Sequence, residues 1–176
     1  MLSLLKEETN DQIINSMTYL GIKPRTVLEI GCSDGWRLEI INRKYKAKCY
    51  GIDPSEKAIM EGRENYPSLN LEKGTAENLP YKNNQFETVI LGFCLYLCDR
   101  DDLFKIACEV DRVLKNNGCI IILDFNTPFA YRNNYIHFTG LYTYKMDYAK
   151  MFSWNPYYTV FFKKIFPMTA MMRNLI

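Results

Sequence analysis

The sequence predicts a doubly wound α/β fold, a mostly parallel sheet with helices on both faces, and two observations predict it. Apolar runs of strand length alternate with longer stretches of helical periodicity between residues 11 and 125. The strand-length runs are continuously apolar rather than alternating, as strands covered on both faces must be. The chain has 176 residues, 48% hydrophobic and 24% charged, which suits one globular domain.

The first element is a helix over 11–20, where Ile13, Ile14, Met17 and Leu20 share one face and Gly21 is the stop. Thr26-Val27-Leu28-Glu29-Ile30 is a short buried strand closed by Gly31. Leu38, Ile41 and Tyr45 then recur at helical spacing, and 48–52 reads as a second strand. Ser55 is a natural N-cap for a helix that ends before Pro67. Further strands are expected at 69–73, 86–93 and 119–125. Between the last two, Leu103, Ile106, Ala107, Val110, Val113 and Leu114 hold one helix face, with Gly118 as its stop. Beyond Asp124 aromatic residues crowd in between Pro128, Pro156 and Pro167, and one strand-like run remains, at 157–162. The single domain therefore reads as a helical cap, 1–24, a core, 25–125, and an aromatic-rich segment, 126–176, with the C-terminal part abbreviated or truncated.

Composition excludes several function classes. A net charge of +2 gives no electrostatic footprint for nucleic acid. The six cysteines lie mostly in apolar segments without a CxxC pair, as reduced core residues would. With His137 the one histidine, a His-rich metal centre is excluded by counting, and no metal is expected. The N-terminus turns acidic at Glu7 and Glu8 before an apolar run develops, so no leader is visible. A cytoplasmic chain without an integral membrane span is the expectation.

In an open parallel sheet, ligands bind beyond the carboxyl ends of the strands, where strand order reverses. Three features fall at such ends. Glu29-Ile30-Gly31-Cys32-Ser33-Asp34-Gly35 lets the backbone turn tightly and approach a ligand. Asp53 follows the second strand, placed for a carboxylate that grips two ribose hydroxyls. Gly74-Thr75-Ala76-Glu77-Asn78-Leu79-Pro80 follows the third, with polar groups for an adenine edge. A dinucleotide is disfavoured, because the G-x-G-x-x-G fingerprint would need glycine where Ser33 and Trp36 stand. Adenine and ribose without a phosphate in the glycine loop describe S-adenosylmethionine.

Val27-Leu28-Glu29-Ile30-Gly31-Cys32-Ser33-Asp34-Gly35 resembles motif I of the class I S-adenosylmethionine-dependent methyltransferases. Tyr50-Gly51-Ile52-Asp53-Pro54-Ser55 is similar to their acidic ribose motif and residues 74–80 to their adenine motif. Residues 86–93 resemble the strand beside the methyl group, and 113–122 the segment leading into the fifth strand. The resemblance covers 25–125 in the family's order. It implies Glu29, Gly31, Cys32, Ser33 and Gly35 near the methionine part, Asp53 on the ribose, Ala76 and Glu77 at the adenine, and Leu91, Gly92 and Phe93 lining the pocket. Ser33 departs from the family's usual glycine and should be tolerated if its φ stays negative. Less specifically, residues 131–144 resemble the substrate-side insertion of methyltransferases from bacterial surface-sugar gene sets.

A hydroxyl acceptor would be helped by a base, and Tyr96, Asp124 and His137 are the candidates. Arg132 and Tyr135 are expected to meet the substrate, a small molecule, with a sugar or nucleotide-linked sugar first. Asp34 and Arg37 read as cap and solvent-facing residues of the helix after motif I. The competing reading, from another class, is a non-catalytic cofactor-binding or partner module. In it Trp154, Tyr157, Tyr158, Phe161 and Phe162 form a homodimer face or an interfacial membrane contact.

Overall fold

Strands that are apolar along their whole length must be covered twice, and the computed structural model, which describes residues 11–136 and 139–166, shows how. Strands β1 (Thr26–Ile30), β2 (Lys48–Asp53), β3 (Asn70–Lys73), β4 (Phe86–Gly92) and β5 (Leu114–Leu123) form one sheet in the order β3-β2-β1-β4-β5. Every pairing is parallel, with Leu28 opposite Tyr50 on one side and Val89 on the other. Helices α1 (Gln12–Leu20), α2 (Trp36–Tyr45) and α3 (Glu56–Asn65) pack on one face, and α4 (Leu103–Val113) with the short α5 (Lys150–Ser153) on the other.

Alternate residues of each strand feed the two cores. Val27, Cys49 and Ile90 meet Ile13, Ile14 and Met17 of α1, Leu38 and Ile41 of α2 and Ile59 of α3. Leu28, Ile30, Ile52, Val89 and Leu91 meet Ile106, Val110 and Val113 of α4 and Met151 and Phe152 of α5. Each such large side chain, fully buried, contributes about 1.5–3 kcal/mol relative to exposure. Asp11 caps α1 by accepting from the Ile14 N–H at 2.8 Å, and Gly21 ends it in the left-handed region at φ 69°. Ser55 accepts from the Ala58 N–H to cap α3.

The structure corrects the expected end of α4. The helix stops at Val113, because Leu114 is extended (φ −75°, ψ 136°) and pairs with Phe86. Residues 115–118 loop out between that pair and Cys119 opposite Thr88, with Asn117 left-handed and Lys115 reaching Glu87 at 3.5 Å. Gly118 therefore belongs to a bulge inside β5, not to a helix cap. The strand-like run at 157–162 forms no strand, since no sheet edge completes its backbone hydrogen bonds. The strands after Asp124 are instead β6 (Tyr131–Asn134) and β7 (Tyr142–Lys145), an antiparallel hairpin. Among the described residues no helix is long and apolar enough to cross a membrane.

Candidate functional site

β1 and β4 are neighbours in the sheet although β2 follows β1 in the chain, so strand order reverses between them, and the loops beyond their carboxyl ends build the site. In the loop after β1, Gly31 has φ 73° and its N–H donates to the Ile52 carbonyl at 2.8 Å. A Cβ on Gly31 would lie 2.5 Å from Cys94 Cβ, so only glycine lets this loop meet the turn after β4. Ser33 does not keep a negative φ: it sits at 52°, in the left-handed region that favours glycine. That conformation costs about 1–2 kcal/mol for a side-chain-bearing residue, and a hydrogen bond from the Ser33 N–H to Asp53 Oδ2 at 2.8 Å offsets it. Gly35, at φ 84°, packs against Leu69 and Leu71. Cys32 and Leu91 point into the two cores, so only their backbones border the loops.

Asp53 closes β2 half-buried, and its Oδ1 accepts from the Ser55 N–H at 2.8 Å. Each carboxylate oxygen accepts more than one donor, so two adjacent hydroxyls can still dock there. The loop after β3 carries Ala76, buried, and Glu77, half-buried, and it is clamped from α4. Glu109 Oε2 accepts from the Leu79 N–H at 2.7 Å, while Arg112 donates to the carbonyls of Leu79 at 2.9 Å and Tyr81 at 2.6 Å. Sequence reasoning missed this clamp; its signal is the Glu109 and Arg112 pair at i, i+3, off the apolar face of α4.

Glu29 is fully buried at the end of β1. Its Oε1 accepts from Arg37 Nη1, and its Oε2 has no hydrogen-bond partner. Arg37 is not solvent-facing as expected: its side chain is 12% exposed, and its Nε donates to Asp11 Oδ2 at 2.9 Å. Burial pushes the Glu29 carboxyl up to about 7 against the pull of Arg37. The Glu29 and Asp11 charges hold Arg37 above its ordinary range, so the guanidinium keeps its charge and the carboxyl is the member that titrates. Asp34 is not the cap residue as expected: Gly35 holds that position, and Asp34, one residue earlier, accepts from the Trp36 N–H at 3.2 Å.

The acceptor side lies beyond β4 and β5. Phe93, left-handed at φ 55°, Tyr96 in the 3₁₀ turn Leu95–Leu97, and Phe125 form a cluster of edge-to-face rings with centroids 5.3–6.4 Å apart. The structure brings Tyr96 and Tyr135 into a side-chain hydrogen bond, and burial together with Tyr135 pushes the Tyr96 phenol up to about 12. A phenol held there keeps its proton at neutral pH. Asp124 is raised to about 7 by burial, but its Oδ1 accepts from the Phe125 N–H and its Oδ2 from the Tyr96 N–H. It fastens the aromatic turn to the end of β5. Arg132 is exposed on β6, its guanidinium 4.5 Å from the Tyr142 ring. His137 lies outside the described residues. A cleft of about 1250 Å³ runs between the outer edge of β5, α1 and residues 155–166, and Glu29, Gly31, Asp53 and Glu77 take no part in its walls.

The donor set fits S-adenosylmethionine. Glu29 and Asp53 are carboxyl groups, and the cation beside them, Arg37, is already shared by Glu29 and Asp11. A pyrophosphate would find no counter-charge there, whereas ribose hydroxyls would find acceptors and an ammonium group a counter-charge.

Comparison with known proteins gives the family. A family model described as a methyltransferase domain matches residues 27–118. A demethylmenaquinone methyltransferase of Bacillus mycoides (strain KBAB4) is 28% identical over 131 residues, 69% of this chain and 54% of the relative. An uncharacterized methyltransferase of a Synechocystis species is 30% identical over 110 residues, 62% of this chain and 51% of the relative. A solved structure from Pyrococcus horikoshii OT3 superposes with a TM-score of 0.56 at 27% identity, over 65% of this chain and 56% of that one. The chain spans about half the length of the curated relatives it matches.

Proposed function

Since the chain belongs to the methyltransferase-domain family of class I S-adenosylmethionine-dependent enzymes, we propose that it transfers a methyl group from that cofactor to a hydroxyl of a small molecule. The observation that carries the reading is the pair Glu29 and Asp53. Two carboxylates stand at the ends of adjacent strands beside the point of order reversal, one with a buried unpartnered oxygen and the other with lone pairs open to hydroxyls.

When bound, S-adenosylmethionine supplies a methyl already activated on a sulfonium, so placement is the main task left to the protein. Asp53 would hold the ribose, Glu29 the amino-acid end, and Ala76 and Glu77 the adenine edge. The Glu109 and Arg112 clamp fixes the loop that carries the last two. Gly92 and Phe93 stand at the end of β4, where the methyl end would point. Phe93, Tyr96 and Phe125 exclude water from the acceptor face, and Asp124 holds Tyr96 in place through its backbone N–H. The Tyr96 phenol, kept protonated, orients an acceptor oxygen by a hydrogen bond shared with Tyr135.

The acceptor we place first is a sugar or nucleotide-linked sugar, supported by the hydroxyls, amides and Arg132 of the 131–144 segment. A flat hydroxylated ring is a second reading, favoured by the aromatic cluster and by the relative named for demethylmenaquinone. A cofactor-turnover screen across sugar nucleotides, quinols, phenols and amines decides between them, with Arg132→Ala and Tyr96→Phe in parallel. Turnover with amines alone would overturn hydroxyl transfer, and full activity of both variants would move the acceptor away from these residues. Exposed Trp154, Tyr157, Phe161 and Ile165 favour a partner surface in addition. Light scattering on the chain and on a Tyr157→Ser, Phe161→Ser double variant tests that surface, with identical mass counting against it.

A further inference from the structure

We propose that Arg37 is a positioning residue that couples the amino-acid end of the cofactor to helix α1, so that α1 is fastened over the site only by ligands carrying an α-ammonium group. This rests on the cofactor reading above and adds a role for two residues, Arg37 and Asp11, that touch no part of the nucleoside.

The relay is continuous from the site to the helix. Glu29 Oε2 is the orphaned oxygen at the mouth of β1, and a buried carboxylate oxygen without a donor is costly. Its other oxygen holds Arg37, whose Nε holds Asp11 Oδ2. Asp11 Oδ1 in turn caps the first turn of α1 through the Ile14 N–H. Gly92 makes room for the relay at the end of β4. A Cβ there would lie 2.9 Å from Arg37 Nη1, 3.2 Å from Ile13 Cδ1 and 3.3 Å from Glu29 Oε1. Arg37, the first turn of α1 and Glu29 thus meet at one point, at the carboxyl ends of the paired strands β1 and β4.

Charge gives the relay its direction. Two carboxylates face one guanidinium in a buried setting, which leaves one negative charge uncompensated. An ammonium on Glu29 Oε2 completes the balance and keeps Glu29 ionised, which holds Arg37 against it and so holds Asp11 and α1. Without that cation Glu29 takes up a proton near neutrality. Arg37 then loses the charge that holds its Nη1 at Glu29, so the guanidinium, still paired with Asp11, is held less firmly to the end of β1. The groups that set this balance are Asp11, Arg37 and Asp53, from α1, α2 and β2.

Hydrogen exchange across residues 12–20 and calorimetry on the full chain test the relay, with two probes: S-adenosylhomocysteine, and methylthioadenosine, which lacks the amino-acid group. We expect both to bind, with exchange in α1 slowed about tenfold by the first alone, the scale of one charge-assisted hydrogen bond. Arg37→Gln should abolish that protection and compress the affinity ratio of the two probes. Asp11→Asn should lose the protection yet keep the ratio, and it decides the matter if Arg37→Gln does not fold. Equal protection by both probes, or protection unchanged in Asp11→Asn, overturns the relay. Binding of neither probe to the wild-type chain overturns the cofactor reading and the relay with it.

Discussion

Five of the seven residues of β4 are buried, whereas β6 exposes all four of its own. The first strand is held by side chains packed on two faces, and β6 only by its pairing with β7 and by ring contacts such as Arg132 over Tyr142. The difference separates two jobs. The parallel sheet holds loop ends in fixed relation, which a shared ligand demands. The hairpin has few buried contacts of its own, so its sequence is free to follow a particular acceptor.

That contrast breaks most visibly under core truncation. Phe86 is fully buried and meets Tyr50 and Tyr81 edge-to-face. Phe86→Ala should cost about 3–5 kcal/mol in denaturant unfolding. Tyr157, 93% exposed, should change stability by less than about 0.5 kcal/mol when made alanine. Comparable losses would mean the C-terminal segment carries a core of its own. Asp53→Ala comes next, expected to weaken cofactor binding by about 1–3 kcal/mol, because it would remove the proposed ribose contact and unhook Ser33 together. Arg112→Ala should follow at about 1–2 kcal/mol, lost through the adenine-side loop and measured by calorimetry while the fold survives.

The smallest effect is one of pH. Glu29 and Asp124 both sit at about 7 in the folded chain, raised by burial from ordinary values of 4.5 and 3.8. An acid raised in this way binds its proton more tightly when folded, so stability is greatest below the ordinary value and declines as pH rises toward 7. The unliganded chain should therefore melt at a lower temperature at pH 8 than at pH 5.5, and Glu29→Gln should flatten the slope. A melting temperature that climbs over this range would contradict the burial of both carboxyls.

The sheet was legible because each strand carries its own signal. Val27, Leu28 and Ile30, and Ile120 to Leu123, are apolar whatever lies beside them, and Asp11, Gly21 and Ser55 cap helices by local hydrogen bonds. The candidate site was legible where a side chain stands at a strand end, as the Asp53 carboxylate does. It was not legible where the partner is distant in sequence. Arg37 looks like a surface residue until Glu29 and Asp11 are folded around it, and Leu114 looks helical until Phe86 lies opposite. The run at 157–162 is apolar enough for a strand, but a strand needs an edge to pair with, which the sequence of the run does not specify.

Titration of the full chain with S-adenosylhomocysteine, in wild type and Asp53→Ala, tests the central claim that the loops after β1, β2 and β3 form the cofactor site. The account predicts one saturable site in the wild type, weakened about tenfold or more by the substitution. Absence of binding to the wild-type chain, or equal affinity in the two, would contradict it.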